Sequence, residues 1–71
     1  MLAIDELRVI RDRAKVRLEL ALAMEQEAVE SFRRDSRAYE VWRQAVERAR
    51  EVELSFEAAE SEYQEALAAG L

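Results

Sequence analysis

The chain has 71 residues, a formal net charge of -5, and neither Cys nor His. Without those two residue types, disulfides, thiolate chemistry, imidazole bases and the usual structural zinc sites are excluded. A chain this short buries too little surface to be stable alone with ease, so oligomerisation is the remaining aid to stability.

The composition predicts a protein that is helical throughout. Pro is absent and the single Gly is Gly70, so the residues that commonly mark turns are missing from the interior of the chain. The first residues form neither a basic leader nor an apolar run of the roughly 20 residues that a membrane span requires. We therefore expect a soluble cytoplasmic protein, or a virion protein if the chain comes from a bacteriophage, without signal peptide or transmembrane segment.

The first predicted helix covers about residues 3–33. One of its sides carries apolar residues at steps of three and four, which is typical of a helix that packs against another helix. We predict that this side forms half of the core, with Leu7, Ile10, Ala14, Leu18, Ala21, Met24, Ala28 and Phe32.

A second apolar stripe lies on the opposite side of the same helix. A helix that is apolar on two sides is normally covered on both, so this stripe predicts an interface with another chain. Its members are Leu2, Val9, Val16, Leu20 and Ala23.

A polar segment interrupts both patterns and predicts a turn at about residues 34–36, where Asp35 or Ser36 would cap the next helix. The second predicted helix covers about residues 37–69 and keeps a period of 3.5, which implies a left-handed supercoil. Leu54 lies off its apolar seam and is added to the predicted interface. The predicted core residues of this helix are Tyr39, Trp42, Ala45, Val46, Ala49, Val52, Phe56, Ala59, Tyr63 and Ala66.

The two patterns together predict one all-α domain over residues 1–71, a hairpin of two long antiparallel helices with coiled-coil-like packing. Pairing residues whose numbers add up to about 70 sets large side chains opposite small ones. It also sets the basic residues of the first helix beside the acidic residues of the second. One continuous helix that pairs with a partner remains the alternative. The hairpin is expected to complete a four-helix bundle or a larger helical assembly with other chains.

The sequence predicts no enzyme activity, no metal and no cofactor. Carboxylates are plentiful, but the Glu-x-x-His pairs of bundle metal sites are impossible without His. The serines lack a His, Cys or Lys partner that would activate them, and no Gly-rich loop offers a phosphate site.

The function that remains is a structural or protein-interaction module, a homo-oligomer or a subunit of a larger complex, for example in a phage or bacterial assembly. A designed helical bundle or binder is an alternative, and so is a small acidic regulator that binds another protein through Glu57, Glu60, Glu62 and Glu65. In length and helix number the hairpin dimer resembles Rop, the RNA-binding plasmid regulator, without a shared motif. That resemblance implies nucleic-acid binding, against which the net negative charge argues.

Overall fold

The computed structural model describes residues 3–70, and these form a helical hairpin. Helix α1 spans Ile4–Arg34, a single 3-10 turn spans Ser36–Ala38, and helix α2 spans Tyr39–Ala69. The helices run antiparallel along a rod of 53 × 15 × 13 Å. The predicted all-α hairpin is confirmed, and the alternative of one continuous helix is wrong because the chain reverses direction after Arg34.

Asp35 makes the reversal without help from glycine. Its backbone is extended, with φ -147° and ψ 113°, and its N–H donates to the carbonyl of Ser31 at 2.9 Å, which closes α1. Its carboxylate accepts the backbone N–H of Arg37 at 3.0 Å and also binds the Arg37 guanidinium. A short acidic side chain therefore satisfies a backbone N–H that the turn leaves free, that of Arg37.

The two helices meet along a seam of small side chains. The buried residues of α1 are Leu7, Ala14, Ala21 and Ala28, which recur every seven residues. Ala49 of α2 is the most enclosed residue of the described chain, with 3 % of its surface exposed. A repeat of seven residues keeps one stripe of each helix against its neighbour, and alanine at those positions permits a close approach of the two backbones.

The second line of the α1 seam consists of half-buried residues that lie four positions after the buried ones, including Arg11, Leu18 and Phe32. The core prediction is therefore corrected at Ile10 and Met24, which are 43 % and 58 % exposed. Arg11 and Glu25 occupy the corresponding seam positions instead. Long charged side chains fit there because their aliphatic stems cover apolar surface while their charged ends reach water.

In α2 the residues predicted for the core are buried or half-buried, with one exception. Tyr39 is 47 % exposed, because it is the first residue of α2 and lies at the end of the rod. Its ring still packs 5.7 Å from the rings of Phe32 and Trp42. The half-buried members are Trp42, Ala45, Val46, Val52, Phe56, Ala59, Tyr63 and Ala66.

The register of the hairpin is shifted from the predicted one. The residue numbers of contacting pairs add up to one to four more than the predicted sum of about 70. The contacting pairs have numbers that add up to 71, as in Arg11 with Glu60, or to 74, as in Phe32 with Trp42. The shift arises because the turn extends to Ala38 and its centre lies after Asp35. At the open end, a Cβ on Gly70 would lie 3.1 Å from Ile4 Cδ1, so the ends of the helices also pack closely.

Because the seam consists of small side chains, a larger side chain at its centre is expected to destabilise the folded hairpin. We expect Ala49→Leu to lower the free energy of unfolding by about 1–3 kcal/mol, because the added isopropyl group pushes the helices apart. Urea unfolding followed by helical circular dichroism, at one fixed protein concentration, measures the change. Ala68→Leu is the matched control on an exposed position of α2, with an expected change within about 0.5 kcal/mol. Equal effects of the two changes would contradict a tight seam.

The hydrogen bonds of the Asp35 carboxylate make the stability of the folded chain depend on pH, and we expect the chain to be less stable in acid. Hydrogen bonds from the side chain and the backbone N–H of Arg37 hold the pKa of Asp35 below its ordinary value of 3.8. A carboxylate with a lowered pKa in the folded state contributes stability above its unfolded pKa and loses it as the pH falls through the folded value.

We therefore expect the urea midpoint of the wild-type chain to fall between about pH 5 and pH 2. In Asp35→Asn the fall should be smaller, because the amide oxygen still accepts the N–H of Arg37 but does not titrate. Parallel pH profiles for the two proteins would show that Asp35 does not contribute.

Candidate interaction surface

The residues predicted for an interface lie on the outside of the hairpin wherever they are described. Val9, Val16, Leu20, Ala23 and Leu54 are all exposed. Leu2 lies outside the described residues.

These residues do not form one surface. Val9, Val16 and Ala23 each lie two positions after a buried seam residue, which places them about 200° around α1, on the side turned away from α2. Leu54 belongs to the outer side of α2, at the opposite edge of the rod. The predicted interface residues therefore lie on separate sides of the hairpin.

A groove runs along one face of the hairpin between the two helices. Its volume is about 610 Å³. The buried or half-buried Ala21, Ala28, Ala45 and Val52 are among the residues that line it, and together they form its floor. The rims carry the exposed side chains of Leu20 and Met24 from α1 and of Val41 from α2.

The groove exists because the seam is asymmetric. Most of its small residues, among them Ala21, Ala28 and Ala45, repeat at one position of the heptad and lie toward the groove face, whereas Ala49 occupies the other position. Most of its large residues, such as Phe56 and Tyr63, lie four positions after those small ones and toward the opposite face. A smaller recess on that opposite face is lined by Arg11 and Phe56, which agrees with this division. One face of the hairpin is therefore filled by large side chains and the other is left open.

The opposite face is also held by a charged contact between the helices. The guanidinium of Arg11 lies 4.6 Å from the centre of the Tyr63 ring, and it binds Asp12 at 2.8 Å and Glu60 at 3.5 Å. The side chain of Arg11 thus makes a cation–π contact and two ion pairs at once. These contacts occupy polar groups that a partner would otherwise meet on this face.

Two large apolar residues on the groove rim were missed by the sequence prediction of the interface. Val41 was assigned to neither the core nor the interface, and Met24 was assigned to the core. The available signal was the exposure of Val41 on a helical wheel beside the small residue Ala45, but one exposed valine is common on protein surfaces.

The structure of residues 3–70 also bears on metal binding, on membrane crossing and on the basic residues of α1. Over residues 3–70, no three acidic side chains are arranged to hold a metal ion. Neither α1 nor α2 is long and apolar enough to cross a membrane. Of the basic side chains on α1, Arg8 binds Asp5 at 2.9 Å and Arg11 makes the contacts described above, so both have acidic partners within the chain.

Comparisons with known protein families, with characterised proteins and with solved structures find no match to this chain. The functional inference therefore depends on the surface of the hairpin itself.

Proposed function

We propose that this chain is a non-enzymatic interaction module, a helical hairpin that associates with further copies of itself into a four-helix bundle or a larger helical assembly. The observation that carries the proposal is the apolar surface that the hairpin leaves uncovered. Nine large apolar side chains among the described residues are between 43 % and 64 % exposed, and several of them are neighbours on α1.

The accessible area supports the same proposal. The hairpin exposes 5690 Å², whereas a compact monomer of 8.2 kDa would expose about 4,500 Å². The excess of roughly 1,000 Å² is comparable to the ~800 Å² that each partner contributes to a stable interface. The radius of gyration is 16.0 Å, against about 11 Å for a globular chain of this length. A second hairpin packed alongside would remove much of this excess.

The small size of the core points the same way. The buried residues of the described chain are one leucine and four alanines. Alanine carries a single methyl group, so its burial contributes little hydrophobic free energy, while each ordered residue costs about 1–2 kcal/mol of backbone entropy. Burial of leucine, methionine and valine against a second copy supplies the apolar contact that the isolated hairpin lacks.

Sedimentation equilibrium tests self-association directly. We expect the wild-type chain at micromolar concentration to show a mass of at least twice 8.2 kDa. Leu20→Glu should shift the equilibrium toward the single chain, because the interface then loses the ~1.5–3 kcal/mol of a buried leucine in each copy and buries a charge. Circular dichroism checks that the variant stays helical.

Leu54→Glu is the matched control, because Leu54 and Leu20 have nearly the same exposed fraction, 60 % and 61 %. We expect this variant to keep the wild-type mass, since Leu54 lies at the other edge of the rod. A wild-type chain that sediments as a single copy at every concentration would overturn the proposed function.

A further inference from the structure

The groove face offers both a receptor and the feature that fits it. The floor contains Ala21 and Ala28, which are buried, and beside it the ridge of Leu20 and Met24 is more than half exposed. Helices pack by placing the side-chain ridge of one into the groove of the next, and small residues on the floor permit a short distance between the axes. The ridge of a second copy has the same spacing as that of the first, so it can pack into the groove of the first copy.

The residues along this edge of α1 have a self-complementary order. Arg17, Leu20, Met24 and Glu27 all line the groove, and the steps between them are three, four and three residues. The pattern is therefore symmetric about residue 22 in position and opposite in charge at its two ends. When an antiparallel copy of α1 is laid against it, Leu20 meets Met24 and Arg17 meets Glu27.

The charges of this pattern are free to pair with a second copy. Arg17 and Glu27 are both exposed, and neither forms an ion pair with any residue of the described range 3–70. A parallel copy would bring Arg17 against Arg17 and Glu27 against Glu27, which costs free energy. A two-fold axis perpendicular to the rod gives each copy the same contacts and closes the assembly.

The other surfaces fit a second copy less well. Over residues 3–70, the outer side of α1 carries the exposed Val9, Val16 and Ala23 on a convex helix surface. On the face opposite the groove, Arg11 spans the helices and its charge is already balanced by Asp12 and Glu60. Within the described part of the chain, the groove face combines a recess, an apolar ridge and charges of both signs that form no ion pair inside the hairpin.

We infer that the second copy of this chain docks on the groove face, with the two α1 helices antiparallel across a two-fold axis at the level of residue 22. This inference rests on the proposed self-association. It specifies the face, the direction and the charge pairs, so the turns of the two hairpins lie at opposite ends of the assembly.

A charge swap tests the ion pairs between copies. Arg17→Glu and Glu27→Arg, made singly, each set like charges against one another twice in the dimer and should weaken association roughly tenfold at low salt. The double variant Arg17→Glu with Glu27→Arg restores opposite charges and should return the dissociation constant to within about threefold of wild type. Sedimentation equilibrium measures the constants. A double variant no tighter than the single ones would overturn the pairing.

The face is tested by a pair of glutamate substitutions. Met24→Glu on the groove should dissociate the assembly, whereas Val16→Glu on the outer side of α1 should leave its mass unchanged. Both side chains are well exposed in the single hairpin, at 58 % and 64 %, so neither substitution should unfold it. The reverse result would place the interface on the outer side of α1 while self-association still holds.

Spin labels at the turn test the direction. The chain has no Cys, so Ser36→Cys attaches one nitroxide per copy at the turn. Ser36 lies about 14 residues beyond the inferred axis, and at a rise of 1.5 Å per residue the two labels should be roughly 42 Å apart. A distance below about 25 Å would mean that the turns lie at the same end, with α1 of one copy on α2 of the other. That result would overturn the inferred direction and leave the proposed function intact.

Discussion

The close approach of two helices along a seam of alanines is the contact on which the rest of this molecule depends. Ala14, Ala21, Ala28 and Ala49 are small enough for the backbones to pack side by side, and their spacing keeps the contact continuous along the rod. The same contact limits what the hairpin buries, because alanine has little apolar surface to remove from water. A tight pair of helices with a thin core is the result, and much of the larger apolar surface stays outside it.

A seam of identical small residues does not by itself select one register, because sliding one helix along the other would exchange alanine for alanine. Contacts between large side chains fix the register instead. At the turn, the rings of Phe32 and Trp42 stack with centroids 5.4 Å apart, and near the open end Arg11 lies over Tyr63. Contacts of this kind contribute about 0.5–1.5 kcal/mol each beyond the area they bury. A shift of the helices would break both sets of contacts together.

The large residues also give the hairpin two unlike faces. They fill the space between the helices on one side, and the alanines leave a groove on the other. In a complete four-helix bundle that space is occupied by side chains of the second pair of helices. The open groove, the exposed ridge beside it and the charges of Arg17 and Glu27 lie on one surface, and the inferred docking of a second copy on this face rests on that coincidence.

The sequence by itself determined that the chain is helical and that a repeat of seven residues runs along α2, and it predicted a turn near Asp35 with one continuous helix as the alternative, which the structure removed. The sequence determined the first two features because they depend on residue types and on spacing within one segment. The tertiary structure decided the phase of the α1 seam, the register and the groove. Apolar residues also flank the buried stripe of α1, at Ile10 and Met24, so the residue types of α1 alone do not say which of the flanking positions face α2.

The packing of α1 against α2 determines which positions of α1 lie in the seam. Arg11 and Glu25 lie in the seam where Ile10 and Met24 were expected, because a seam that repeats every seven residues keeps the same steps of four and three along its whole length. The position of Leu54, on the edge opposite Val16, likewise followed only from how the two helices face each other.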